Sequence, residues 1–499
     1  MAGRLDARGL IAVLIDAGSW CSWDLPVPDE HPDEYAEELR SVRALTGYDE
    51  SVVSGSAAIG GHRIAIIASE FGFMGGSIGV AAGRRTVDAI RRATREGLPI
   101  LALPTSGGTR MQEGTSAFVL MVSITAAVQS HKAAGLLYLV YLRHPTTGGV
   151  LASWGSLGHV TFAEPNSLVG FVGPRVYEAM TGSPFPTEVQ TGENLCDHGI
   201  VDSVVPTCNL AGEVSAVLDT LAHAVPLADA APIRADGYSS RTSWDRVQVS
   251  RNPQRPGVRD LLSDSRVRHT RLNGSGETAA DDCAVVALAR ICGHPCVLIG
   301  HDRDVPCAIS ADGLRAARRG IRLATELGVP LVTVIDTAGA ELSKDAEENG
   351  IAGQIARCLA EIISVPVPTV SVLLGQGSGG AALAFFPADR MISAENGWLS
   401  PLPPEGASVI VYRDVEHAAE MATRQRVGSI ELAESGLIDI VISESRDAAD
   451  DPALFVHRVI ETLSAELSTV ARTDTDTRLR DRLKRYDRAV PSAPTRAGR

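Results

Sequence analysis

Two glycine pairs stand where backbone chemistry is available. The first closes the run His144-Pro-Thr-Thr-Gly148-Gly149; the second lies in Gly375-Gln-Gly-Ser-Gly379-Gly380-Ala381. Each follows a continuous apolar run and opens a segment that reads as helix. The N–H groups of a helix's first turn have no intrahelical acceptor and sit at the positive end of its dipole. Glycine lets the backbone approach a ligand closely. Two such N–H groups aimed at one oxygen make an oxyanion hole, in which losing a donor costs roughly 10²–10³ in rate. A tight packing turn explains a single Gly-Gly pair equally well. Two pairs at equivalent places of a repeated chain point instead to two enolate-like oxygens stabilised in one reaction. The usual nucleophile signatures are missing: there is no G-x-S-x-G elbow between strand and helix and no phosphate loop of the G-x-x-x-x-G-K-[ST] type. Lysines are few, which argues against a Schiff base. His144, the histidine beside a Gly-Gly turn, reads as a positioning group rather than an acid or base.

The elements that must hold these turns occur twice. One constant offset carries Pro99 onto Pro330, Gly148-Gly149 onto Gly379-Gly380 and Ala163-Glu164 onto Ala394-Glu395. HGIVDSVV at 198–205 and SGLIDIVI at 435–442 close the copies, after a small insertion in the second. So long a period excludes a solenoid and fits two homologous domains. In each, a helix with apolar residues at i, i+3 and i+4 (84–97, then 312–327) precedes a Pro step and an apolar strand, 100–104 or 331–335. A helix (111–130, then 348–365) and a second buried strand (137–143, then 369–375) follow. Apolar runs of this kind are buried on both faces, as in parallel sheets, and predict an α/β fold. The boundaries fall at 1–225 for the first domain, 226–258 for a linker rich in Pro, Arg and Ser, 259–470 for the second domain and 471–499 for a basic tail. That tail reads as a solvated helix, or as a contact for phosphates.

The 499 residues are 44% apolar and 21% charged, with net charge −14 and a pI near 5.4. This argues against a general nucleic-acid or anionic-membrane binder, and leaves room for a local basic pocket. No signal peptide and no 18-residue apolar span is evident, which predicts a cytoplasmic protein. The eight cysteines form no C-x-x-C pair and are expected as free thiols in a reducing compartment. Cys292-Gly-His-Pro-Cys296 resembles half of a metal site without its second half, so no metal is expected.

Longer strings carry a family resemblance. EFGFMGGSIGVAAGRR at 70–85, SGGTRMQEG at 106–114, PTTGGVLASWGSLG at 145–158 and AEPNSLVGFVGPRV at 163–176 resemble the beta subunit of acetyl-CoA carboxylase carboxyltransferase over about 8–208. WDRVQVSRNPQRP at 244–256, VPLVTVIDTAGA at 329–340, GQGSGGAALAF at 375–385 and LSPLPPEGAS at 399–408 resemble the alpha subunit over about 244–445. The resemblance implies tandem crotonase-like β-β-α superhelix domains. It also implies the reaction: carboxybiotin on a separate carrier gives up CO₂, the acyl-CoA α-carbon is deprotonated, and acetyl-CoA becomes malonyl-CoA for fatty acid biosynthesis. Carried over residue by residue, Gly148 and Gly149 match the turn for the CoA thioester, and Gly380 with Ala381, introduced by Gly379, match that for biotin. Gly75-Gly76 and Ser106-Gly107-Gly108 line up with walls of the CoA cleft. Arg110 is either a positioning or phosphate-binding cation or half of an ion pair with Glu113. The resemblance further implies biotin carboxylase and biotin carboxyl carrier protein as separate partners. Family members set the first half of one subunit against the second half of another, so a homodimer or trimer of dimers is expected. The sequence departs from the family in lacking the four-cysteine zinc ribbon, in replacing a longer loop with VPCAISADGLRAA at 305–317, and in placing Ala338 where Pro is common. Related domain pairs also serve biotin-linked or biotin-independent decarboxylases, and a scaffold without activity is the non-enzymatic alternative.

Overall fold

Runs of Ile, Val, Leu and Ala with no polar alternation become strands covered on both faces. In the computed structural model, which describes residues 4–27, 34–222, 237–278, 281–444 and 446–489, they build two units, 1–219 and 220–499. The sheet of the first unit runs, neighbour by neighbour, Cys21–Ser22, Val52–Ile59, His62–Ser69, Ile100–Leu103, Tyr138–Leu142, Val160–Ala163 and Ser203–Val204. The sheet of the second unit runs Val267–Leu272, Ala284–Ile291, His294–His301, Leu331–Thr337, Thr369–Ser378, Arg390–Ala394 and Ile440–Ile442. In both, the first three strands pair antiparallel and the rest parallel. Trp398–Ser400 adds a short strand beside the end of Thr369–Ser378.

The repeat is visible in single hydrogen bonds. Helices Val80–Glu96 and Ala311–Leu327 end at left-handed Gly97 and Gly328. The next N–H reaches back to Ala93 O at 2.9 Å in one copy and Ala324 O at 3.1 Å in the other, closing the helix end. The carbonyls of Pro99 and Pro330 then accept from Ala65 and Val297, each at 2.9 Å, which launches the next parallel strand. The first core gathers Ile67, Ile90, Ile100, Ile124 and Trp154; the second gathers Val285, Leu298, Val332, Val372 and Leu463. Each such apolar side chain, fully buried, contributes roughly 1.5–3 kcal/mol.

Several expectations are corrected. The stretch 226–258 reads in sequence as a linker with some local structure; its described residues, 237–258, carry that structure and belong to the second unit. A capping box of Thr242 and Asp245 starts the helix Ser243–Ser250, Trp398 Nε1 donates to Ser250 Oγ at 2.9 Å, and Arg255 pairs with Glu444 at 2.7 Å inside the protein. Residues 226–236 lie outside the described part. The described part of the basic tail, 471–489, is likewise built in, while 490–499 lie outside the described residues: in the helix Thr475–Ala489, buried Arg482 pairs with Asp389 at 2.9 Å and donates to Val365 O at 2.9 Å. Composition suggested solvation because the partners of these arginines are remote in sequence. The helix expected at 111–130 is a 3-10 turn, Met111–Glu113, followed by Gly114–Ala133; that expected at 348–365 runs Ile351–Ser364. Met111–Ala133 is long and apolar enough to cross a membrane by length and composition, yet it lays Met121, Ile124, Ala127 and Val128 into the first core. Finally, Cys283 and Cys307, expected as separate thiols, are bonded to each other with Cα atoms 6.0 Å apart. Cys296 is buried in its strand, and burial pushes its thiol up to about 12; among the described residues Cys292 and Cys296 gather no third metal donor.

Candidate functional site

In the first unit the chain leaves Tyr138–Leu142, passes a cis His144–Pro145 bond, and turns at Gly148 into the short helix Gly148–Leu151. Gly148 has φ 63°, and a Cβ there would lie 3.2 Å from Gly108 Cα, so both backbone angle and space call for glycine. The neighbouring loops are stitched to this turn by backbone bonds: Ser106 N–H to Pro145 O at 2.7 Å, Thr147 N–H to Ser106 O at 2.9 Å and Gly107 N–H to Gly75 O at 2.9 Å. A Cβ on Gly76 would come within 2.2 Å of Thr105 O. Gly75-Gly76, Ser106-Gly107-Gly108 and Gly148-Gly149 are therefore one cluster.

The donor assignment within that cluster differs from the sequence expectation. The Gly148 N–H is committed to Phe171 O at 2.9 Å, while the N–H groups of Gly149 and Val150 find no acceptor among the described residues. Ser153 Oγ donates to Gly149 O at 2.5 Å and anchors the turn from behind. Val150 escaped the sequence reading, although the register of the repeat pointed to it: its counterpart is Ala381.

The second unit repeats the arrangement. Gly379 has φ 66° at the junction of Thr369–Ser378 and the helix Gly379–Phe385. Gly339 N–H donates to Thr337 Oγ1 at 3.1 Å, as Gly108 N–H does to Ser106 Oγ at 3.0 Å. A Cβ on Gly339 would lie 3.9 Å from Ser378 Oγ. The N–H groups of Gly380 and Ala381 have no acceptor among the described residues. Below them, buried Asp336 accepts from Gln376 N–H at 2.8 Å and from Arg303 Nη1 at 2.6 Å. Burial pushes its pKa up, and the Arg303 guanidinium opposes that shift.

Of the two readings of Arg110, the structure shows the ion pair with Glu113, and the side chain is an internal brace. It is 1% exposed, pairs with Glu50, and also reaches Glu113 at 3.2 Å and Ser77 O at 2.8 Å. Burial works against its charge and Glu50 more than offsets this. His144 is held at both ends: its backbone N–H donates to Glu164 at 2.8 Å, and its Nδ1 accepts from Leu168 N–H at 2.9 Å. The neutral ring therefore carries its proton on Nε2. Burial, with Arg4 nearby, lowers its pKa.

Two half-buried glycine turns at equivalent positions of a duplicated β-β-α fold, each with two backbone N–H groups that have no acceptor among the described residues, define a tandem crotonase-like protein. Residues 1–482 match the carboxyl transferase domain, and the chain belongs to that family. It is 51% identical over 491 residues to the "probable biotin-dependent acyl-coenzyme A carboxylase beta3 subunit" of Mycobacterium tuberculosis, covering 97% of this chain and 98% of the relative. It is 34% identical over 519 residues to the "acetyl-coenzyme A carboxylase carboxyl transferase subunits beta/alpha" of Salinispora arenicola, covering 97% and 90%. Among solved structures, the transcarboxylase 12S hexamer core with methylmalonyl-coenzyme A superimposes with TM-score 0.74 at 19% identity, covering 94% of this chain and 90% of that one, and shares the fold.

Proposed function

We propose that this protein is the carboxyltransferase component of a biotin-dependent acyl-CoA carboxylase, acting on acetyl-CoA to give malonyl-CoA in the cytoplasm. The observation that carries the reading is the duplicated pair of acceptor-free amides, Gly149 with Val150 and Gly380 with Ala381, each at the mouth of a glycine turn. Gly149 and Val150 hold the thioester oxygen as the α-carbon loses its proton and charge moves onto that oxygen. Such fixed donors need no reorganisation when the charge develops. Gly75-Gly76 and Ser106-Gly107-Gly108 wall the CoA chain. The biotin ring fits the second cradle, where Gly380 and Ala381 offer two donors to its ureido oxygen and Gly379 clears the approach. Biotin, when bound, supplies the carboxyl group. Biotin carboxylase and a biotin carboxyl carrier protein are the partners, and assembly is homo-oligomeric. The name of the Salinispora relative supports acetyl-CoA as substrate.

The test supplies carboxylated carrier protein and a panel of acetyl-, propionyl- and longer acyl-CoA thioesters to the purified protein. Acetyl-CoA should show the highest kcat/KM, and Gly149→Val or Gly380→Val should each abolish turnover in a folded protein. Undiminished carboxylation in both variants would remove the site; a higher kcat/KM for another thioester would change the substrate.

A further inference from the structure

In the second unit, the loop 302–310 joins the strand His294–His301 to the helix Ala311–Leu327. It is the counterpart of the first unit's Gly75-Gly76 loop, since the offset that joins the two glycine pairs also sets Cys307 against Gly76. The strand Ala284–Ile291 matches Val52–Ile59 end for end, which sets Cys283 opposite Ser51. In the first unit Ser51 Oγ donates to Ser77 O at 2.7 Å and ties the loop to the strand. In the second unit the same tie is the Cys283–Cys307 bond. One copy thus holds its loop by a hydrogen bond, and the other by a bond that redox chemistry makes and breaks.

We propose that Cys283 and Cys307 form a reversible thiol–disulfide latch on the loop that walls the second glycine cradle. Accessibility is asymmetric in the manner exchange requires: Cys283 is buried, whereas Cys307 is exposed. Closing the latch transfers two electrons and two protons to a low-molecular-weight disulfide: Cys307 thiolate attacks that disulfide and expels one thiol, then Cys283 displaces the second from the mixed disulfide. Opening reverses these steps with a dithiol. The loop connects to the cradle by contiguous structure. Ile309 bridges Ala340, Gly339 lies beside Ser378, and Ser378 precedes Gly379. Arg303, on the same loop, holds Asp336, which accepts from Gln376 N–H on the strand that ends at the cradle.

Asp281 lies beside the two sulfurs, close enough that the three could hold a metal ion once the sulfurs are thiolates. It is engaged: Oδ1 accepts from Cys283 N–H at 2.6 Å and Oδ2 from Ser310 N–H at 2.8 Å. Ser310 in turn caps the helix Ala311–Leu327. Asp281 is a structural anchor, and the sulfur pair is the chemistry.

The experiment uses the full chain, equilibrated with oxidised glutathione or with dithiothreitol and read by alkylation mapping and amide hydrogen exchange. Under oxidation, a Cys283–Cys307 cross-linked peptide should dominate. On reduction, both thiols should alkylate and exchange across 302–310 should rise about tenfold, as expected of a released surface loop, while 73–79 stays constant. Cys307→Ser, at an exposed position, should exchange like the reduced protein under both conditions. Free alkylation of both thiols under oxidation, equal exchange in the two states, or zinc held by the reduced protein would each overturn the latch. Only the kinetic arm rests on the carboxyltransferase reading: reduction should change turnover at least threefold and reversibly. Turnover that is present but indifferent to redox state overturns control of the cradle; absent turnover in every form counts against the function, and mapping and exchange still decide the latch.

Discussion

Asp336 and Arg303 meet at 2.6 Å in the interior of the second unit, with the aspartate buried and its other oxygen accepting from Gln376 N–H. Gly375 packs so tightly against this carboxylate that a Cβ would approach Oδ1 to 2.6 Å. The pair therefore props the strand that ends at the Gly379–Gly380 turn. Breaking a buried pair by removing one partner costs about 3–5 kcal/mol. Arg303→Met should destabilise the second unit by that order in urea unfolding, and Asp336→Asn, which keeps an acceptor for Gln376, by clearly less. Equal losses for both would assign the effect to the charge pairing rather than to the Gln376 hydrogen bond, since Asp336→Asn keeps the shape of the side chain.

Gly148 and Gly149 should separate in mutagenesis. Gly148→Ala places a side chain at φ 63° facing Gly108, so its main effect is lost stability, about 1–2 kcal/mol. Gly149→Ala meets Thr109 Oγ1 at 3.2 Å, a milder strain, beside an N–H that has no acceptor among the described residues. It should lower kcat by about 10²-fold, the scale of a misplaced oxyanion donor, with a small change in Tm. The reverse pattern would return the donor role to Gly148.

Arg110 should behave as a brace. Arg110→Lys loses the bidentate contact with Glu50 and cannot span Ser77 and Glu113 as well. A fall in thermal stability without a rise in KM for acyl-CoA is expected, from melting curves and initial rates on the same preparation. A selective rise in KM would restore a phosphate contact.

Acid should weaken the first unit through His131. Burial holds its pKa down to about 4, against 6.5 for the unfolded chain. The unfolded state takes up a proton as pH falls below about 6.5, and the folded state does not until about 4. Stability is therefore complete above 6.5 and is lost as pH falls from 6.5 to 4, by roughly 3 kcal/mol at the limit. Melting of His131→Phe should be flatter than wild type between pH 6 and 4.5; parallel curves would assign the acid sensitivity elsewhere.

Removing residues 474–499 should lower the Tm of the second unit. Arg482 is buried against Asp389 and the carbonyls of Ile362, Val365 and Val367, and Tyr486 Oη accepts from Ala388 N–H at 3.1 Å. Truncation strands Asp389 in the interior. An unchanged melting temperature would return the helix to the status of a solvated tail.

The residue order alone determined the duplication, the buried parallel strands and the two glycine turns, because these are local patterns: apolar runs, αL positions and a register kept from one copy to the next. What only the tertiary structure decided was which amides stay free, what Arg110, Arg255 and Arg482 touch, and that Cys283 meets Cys307. Each depends on a partner distant in sequence. Phe171 O quenches the Gly148 N–H from beyond the strand Val160–Ala163, and Glu50 claims Arg110 from the far side of the helix Val80–Glu96 in the chain. A composition rich in arginine reads as solvent-facing until the buried carboxylates that neutralise it are placed, and packing alone places them.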